Sequence, residues 1–255
     1  MMRLLLLFST ITYLSRQAGA TTRSSKVSCP HHAKNANSAV AFLKSDERCS
    51  FLSISFNPNK EDIIQLSNSI QLTKSVRSFY IAPDFIVDND QDDRLLTLLE
   101  AMSQNDQLPF QTLGLWHELK KTTTVESTHK LMNSFKKLLK TSKITNVSVQ
   151  NQHMETSHLH TWSDIVSNLH TLSIKVTNMK DDANDNIKEE RDESMAQLFS
   201  TLGSSTSQMK SLVIEPDHLL GSIGVGPKSS SSLSNGLMRN PGKTSLILLF
   251  LFILM

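Results

Sequence analysis

The stretch LHTLSI, Leu169 to Ile174, decides how this chain is read, because five other stretches share its plan. Apolar residues fill its first, fourth and sixth places: Leu169, Leu172 and Ile174. The same plan appears in CSFLSI (Cys49 to Ile54), VRSFYI (Val76 to Ile81) and FQTLGL (Phe110 to Leu115). It appears again in ITNVSV (Ile144 to Val149) and MKSLVI (Met209 to Ile214). The anchors alternate, or nearly so, with other residues, as a β-strand requires.

Amphipathic stretches lie between the phrases. Ile63, Ile64, Leu66 and Ile70 mark a first helix, and Leu95, Leu96, Leu98, Leu99 and Met102 a second. Leu131, Phe135, Leu138 and Leu139 follow at i, i+4, i+7 and i+8, one face of a third, with start chemistry at Thr124 to Ser127. Trp162, Ile165, Val166 and Leu169 mark a fourth, and Met195, Leu198, Phe199 and Leu202 a fifth. An extra helix is expected around Ala39 to Leu43. This alternation fits two α/β architectures: a solenoid of strand–helix units with one parallel sheet, or an open doubly wound sheet. Strands covered on both faces read as continuous apolar runs. Here Ser53, Ser55, Gly114, Ser148, Gln150, Ser173, Lys175 and Glu215 interrupt the anchors, so one sheet face is expected to be wet, which favours the solenoid.

The phrase resembles the leucine-rich repeat, L-x-x-L-x-L-x-x-N. Its ninth place holds Asn57, Asp84, Glu118, Gln152, Thr177 and Asp217, of which the first alone is the consensus Asn. Helices between the strands make the likeness closest to the ribonuclease-inhibitor-like subclass. The first anchors at 49, 76, 110, 144, 169 and 209 step by 27, 34, 34, 25 and 40 residues. Repeats of this family run about 20–29 residues, so three steps call for insertions. Acidic Asp88 to Asp93, polar His117 to Thr128 and charged Asp181 to Glu193 are the natural places. The resemblance implies about six strand–helix units over residues 49–220 and an N-terminal cap over 21–48. In that setting Cys29–Cys49 looks like a cap disulfide, and the Ser/Gly-rich run 221–234 like a flexible stalk.

The two ends carry addresses. Residues 1–20 have a basic start, an apolar stretch from Leu4 to Leu14, and Ala18-Gly19-Ala20 as an A-x-A cleavage site, the plan of a secretory signal peptide. The last residues read SLILLFLFILM, Ser245 to Met255. Eleven residues of helix reach only about 16 Å, short of the roughly 30 Å of bilayer hydrocarbon. With the small triplet Ser234-Asn235-Gly236 and the polar spacer Leu237 to Thr244, the tail fits a glycosylphosphatidylinositol attachment signal, residues 235–255 being removed. Ser234 is the expected attachment residue and Asn235 the alternative. A marginal membrane span and a buried terminal helix are the other readings of the tail.

Roughly 214 residues, 21 to 234, remain between the signals, enough for one domain. A formal net charge of +2 supplies no field for gripping nucleic acid. Two cysteines in an oxidising compartment pair most simply as Cys29–Cys49, the alternative being two buried thiols. Asn146-Val147-Ser148 is a glycosylation sequon. The chain has no G-x-S-x-G, H-E-x-x-H, Walker or G-x-G-x-x-G motif. Two acidic runs, from Asp88 and from Asp182, echo calcium loops, but Asp93 and Ile187 stand where the turn needs Gly. His31-His32 and the group His153, His158 and His160 have no further ligand placed to complete a zinc site. No cofactor and no metal are expected.

On a solenoid the third, fifth and seventh places of each phrase point to the wet face. Phe51, Tyr80 and Trp116 would lie along one side as aromatic anchors, with Ser148, Gln150, Ser173 and Lys175 beyond them. A glycan on Asn146 would stand on the same face, so either the sequon is unused or the face is not the binding surface. The expected function is non-catalytic recognition or adhesion at the outer leaflet of the plasma membrane. Its expected partners are the membrane, through the lipid anchor, and an extracellular protein or glycan. A secreted or anchored hydrolase using His117 or Glu118, and a structural coat protein, are the alternatives.

Overall fold

A computed structural model of the chain describes residues 30–45, 50–87, 92–116, 118–119, 125–151, 162–176, 185–202, 207–216, 226–239 and 248–249. The elements run β1 (Pro30–Ala33), α1 (Ala36–Lys44), β2 (Phe51–Ile54), α2 (Lys60–Leu72), β3 (Ser78–Ile81), β4 (Ile86–Val87), α3 (Arg94–Ser103) and β5 (Thr112–Leu115). They continue as β6 (Glu118–Leu119), α4 (Val125–Thr141), β7 (Asn146–Asn151), a helical turn at 162–165 passing into a 3₁₀ turn (Val166–Asn168), and β8 (Thr171–Val176). Last come α5 (Asp185–Leu202), β9 (Ser211–Pro216), α6 (Pro227–Arg239) and β10 (Leu248–Leu249).

The protein is α/β with a single open parallel sheet, an architecture compatible with a solenoid. Eight strands lie in the order β1-β2-β3-β5-β7-β8-β9-β10, every neighbouring pair parallel. The short β4 and β6 pair separately beside it. The order follows the chain and never reverses, so the described sheet lacks the switch-point crevice where doubly wound proteins bind ligands. Each of the six phrases supplies one strand beginning at its third residue. Phe51, Ser78, Thr112, Asn146, Thr171 and Ser211 are successive register partners.

The fourth and sixth places face the helices. Leu52, Ile54, Phe79, Ile81, Leu113, Leu115, Val147, Val149, Leu172, Ile174 and Leu212 are buried in one core with Leu66, Leu98, Phe135, Trp162 and Phe199 from the helical layer. The first places Val76, Phe110, Ile144, Leu169 and Met209 are buried as well, closing the core where chain enters each strand. Helices pack side by side in chain order: α1 on α2, α2 on α3, α3 on α4, and α5 on α6. Phe135 of α4 meets Trp162 edge to face at 5.6 Å, which joins the two halves of that layer.

Local chemistry sets the helix starts. Asn35 accepts from Ser38 N at 2.9 Å, and Asn59 and Asp62 form a reciprocal capping box at 2.9 and 3.0 Å. Asn57, the ninth-place Asn of the first phrase, accepts from Ile86 N at 3.3 Å and from Arg94 Nη1 at 3.0 Å, tying one turn to the next.

Several expectations need correction. The 221–234 run is not a flexible stalk from Pro227 onward: it is α6, whose Ser229 is fully buried. Proline suits the first turn of a helix, and a buried carboxylate from α5 holds that turn. The acidic run 181–193, expected as an inserted loop, is helical from Asp185. Ile64, expected on the buried stripe of α2, is 58% exposed. Trp162 to Leu169 gives one helical turn and a 3₁₀ turn in place of a full helix. The strand β1 escapes the sequence pattern because PHHA has no alternation, and Pro30 is tolerated there as the first residue of a strand. Within the apolar tail, Leu248 and Leu249 pair with Leu212 and Val213 at the sheet edge. Among the described residues no helix is long and apolar enough to cross a membrane.

Candidate functional site

The sheet face away from the helices carries the third, fifth and seventh places in rows. The register aligns Ser53 with Tyr80, Tyr80 with Gly114, Gly114 with Ser148, and Ser148 with Ser173. One row further along the strands, Gln150 pairs with Lys175 and Lys175 with Glu215. Thr112, Asn146, Thr171 and Ser211 form the row at the strand starts. Hydroxyls and amides therefore dominate the face from β5 to β9.

Aromatic rings dominate the other side. His32 meets Phe51 edge-on at 5.8 Å, Phe51 stacks on Tyr80 at 4.9 Å and 29°, and Tyr80 meets Trp116 edge-on at 5.2 Å and 63°. The sequence places the last three along one side, and the structure brings them into contact. His32 completes the line from β1, a strand without a sequence signal. From Phe51 the rings climb diagonally, Tyr80 and Trp116 each lying one row beyond its predecessor's register partner, while Phe51 lies one row short of Ser53, the partner of His32. Gly114 makes room for this: a Cβ there would stand 2.1 Å from Tyr80 Cδ1. Side-chain loss at Gly114 and ring placement at Tyr80 are one feature, which a strand pattern read alone cannot disclose.

This packing changes the role of two of the three expected anchors. Phe51 and Tyr80 are half-buried, covered by each other and by their neighbours; Trp116 stands 40% exposed. The indole Nε1 donates to Ser148 Oγ at 2.8 Å, fixing the ring over the boundary between aromatic and hydroxyl regions. Burial pushes the Tyr80 hydroxyl above its ordinary ionisation range, so it is a neutral donor and acceptor at physiological pH.

The remaining expected site residues sit on several elements or outside the described residues. Asn146 is half-buried at the start of β7, its Nδ2 donating to Thr112 Oγ1 at 3.5 Å. Lys175 lies on β8, at a position paired with Gln150 and Glu215. Ser234 and Asn235 are exposed on α6. Cys29, Cys49 and His117 lie outside the described residues, as do His153, His158 and His160; Glu118 belongs to β6. Among the described residues no cluster of His, Cys, Asp or Glu could hold a metal ion.

Two buried charges frame the face without joining it. Arg94 of α3 forks onto Asp92, with Nε to Oδ1 at 2.7 Å and Nη2 to Oδ2 at 2.5 Å. It also donates to the backbone carbonyls of Pro58 and Ile86. Asp92, part of an acidic run that echoes a calcium loop, is thus committed to a guanidinium. At the other end Asp192 of α5 accepts from Gly226 N, Lys228 N and Ser229 N at 2.8, 2.9 and 2.9 Å, and from Ser229 Oγ. Burial alone would raise its carboxyl; the Ser229 hydroxyl and the three amides outweigh it and hold the group below the usual carboxylate range.

No family model matches the chain, and no curated protein sequence matches it. Among solved structures it is similar to "Leiomodin-1 Actin-Binding Site 2 (ABS2)", at a TM-score of 0.36 and 11% identity, over 82% of this chain and 91% of that one. A likeness that loose bears on neither mechanism nor partner.

Proposed function

We propose that this chain is a glycosylphosphatidylinositol-anchored cell-surface protein that recognises an extracellular partner, without catalysis, through the open face of a leucine-rich-repeat-like solenoid of about six strand–helix units. One observation carries the binding reading. A sheet face turned away from the helical layer bears a line of aromatic rings ending in the exposed Trp116, with hydroxyls and amides beyond it. Exposed aromatic anchors beside uncharged polar groups are the chemistry of recognition surfaces. The in-register strands, each starting at the third place of its phrase, support the repeat reading. The A-x-A site after the N-terminal apolar stretch, and the small triplet, spacer and tail at the other end, support the address, with attachment at Ser234 or Asn235. A Cys29–Cys49 disulfide belongs to the same reading, as the simplest pairing of two cysteines in an oxidising compartment.

Phosphatidylinositol-specific phospholipase C should release the protein from the surface of expressing cells. Alkylation of the released protein without reduction should leave both cysteines unlabelled. Surface protein that survives both the lipase and nitrous acid would overturn the anchor. Trp116→Ala should weaken binding to those cells' partner at least tenfold while leaving the circular dichroism spectrum intact. Equal loss of fold and binding would make Trp116 a packing residue.

A further inference from the structure

The corner formed by Tyr80 and Trp116 offers one kind of chemistry. Because the indole Nε1 is already donated to Ser148 Oγ at 2.8 Å, Trp116 presents a π surface and no donor. Around it, the Tyr80 hydroxyl, the Gln150 amide and the Ser173 hydroxyl have no hydrogen-bond partner among the described residues. All three side chains are half-buried, where an unmet polar group is more costly than in open water. Gln150 lies opposite Trp116, since Leu115 and Val149 are register partners and the two residues follow them. Ser173 stands one strand beyond Ser148 in the same row.

The charge pattern selects the occupant. No Asp, Glu, Lys or Arg fills any third or fifth place of the six strands. In the seventh places the charged residues are Lys175 and Glu215, register partners of opposite sign on β8 and β9. Along these strand positions an ionic ligand therefore finds no net counter-charge, and a purely apolar one would cover unmet hydroxyl and amide groups. A protein partner needs about 800 Å² per side and a cluster of protruding anchors. Here Trp116 is the exposed ring, while Phe51 and Tyr80 spend their faces on each other at 4.9 Å. A neutral sugar meets every condition. The C–H face of a pyranose rests on the negative face of the indole, and its hydroxyls both donate and accept toward Gln150, Ser173 and Tyr80.

We infer that the Tyr80–Trp116 corner, with Gln150 and Ser173, is a binding site for an uncharged glycan; this rests on the proposed reading of the sheet face as the recognition surface. From β3 to β8 the site spans three strand spacings, about 14 Å, the length of a short oligosaccharide. Asn146 lies four residues, about 13 Å, back along the strands from Gln150. A glycan attached there starts at the opposite end of β7 from Gln150, one row short of Ser173.

The test uses the full-length protein, extracted from expressing cells in mild detergent. The probes are arrayed neutral oligosaccharides of glucose, mannose, galactose and N-acetylglucosamine, beside sialylated and sulfated ones. A second arm offers enzymatically deglycosylated cell-surface proteins. Binding should be confined to neutral glycans, fall at least tenfold in Trp116→Ala, and stay within threefold in Trp116→Phe. Gln150→Ala, at a side chain with no hydrogen bond to lose, should fall about fivefold and serves if Trp116→Ala misfolds. Binding to acidic glycans alone, or neutral binding indifferent to both substitutions, would overturn the site. Trp116-dependent capture of a deglycosylated protein would refute the glycan while leaving the recognition face standing. Silence in both arms would remove both.

Discussion

Arg94 and Asp192 do the same work at opposite ends of the molecule by opposite means. Each is a charged side chain with little exposure, sitting on one helix and tying down backbone from a neighbouring unit. Arg94 is neutralised by a full counter-charge, Asp92, and spends its remaining donors on the carbonyls of Pro58 and Ile86. Among the described residues no side-chain cation is hydrogen-bonded to Asp192, and Lys228 acts on it only at longer range. Asp192 is balanced by the partial positive charge and the amides at the start of α6. The difference teaches that a buried charge in this fold is compensated either from its own segment, as by Asp92 two residues before Arg94, or from the next unit, as by the N-terminus of α6.

Breaking the pair at Arg94 should have the largest effect. Arg94→Met leaves Asp92, whose side chain is 7% exposed, without its guanidinium, and should remove about 3 kcal/mol of stability in urea unfolding. A loss below about 1 kcal/mol would show the pair to be solvated in effect. Asp192→Ala should follow, at about 2 kcal/mol, because three amides lose their acceptor at once. Hydrogen exchange should localise the damage to residues 227–234, and unchanged protection there would break the comparison.

Acid sharpens the contrast. The Asp192 carboxyl lies below its ordinary range, so its contribution is complete above about pH 3.9 and is lost as pH falls through the folded value. Protection of α6 should fade in that window and Asp192→Ala should abolish the pH dependence. Smallest of the three, Gly114→Ala should cost about 1–2 kcal/mol by overpacking. Its Cβ would need to displace the Tyr80 ring, which is held between Phe51 and Trp116. Calorimetry that finds Gly114→Ala neutral would mean that the ring line yields readily.

The elements were legible because their signals are local. Leu172 and Ile174 sit two residues apart on one strand face, and Phe135, Leu138 and Leu139 sit within two helical turns, so period alone reveals them. The α6 region is not legible for a physical reason: PKSSSSLSNG looks like a linker by composition. Its helix is held by Asp192, a carboxylate 34 residues away from Gly226. The aromatic side of the candidate face was legible as far as Phe51, Tyr80 and Trp116. The half-burial of the first two was not, because it depends on Gly114 leaving space on the next strand.

The sequence by itself determined the alternation of strands and helices, which side of each strand is apolar, and the lack of charge along the third and fifth places. Tertiary structure alone decided that strands add in chain order, that Tyr80 lies over Gly114, and that Trp116 is turned by Ser148, 32 residues away. A period of two or 3.6 residues is written into neighbouring side chains. Contacts between positions more than thirty apart are written only in the register, and register exists once the sheet has formed.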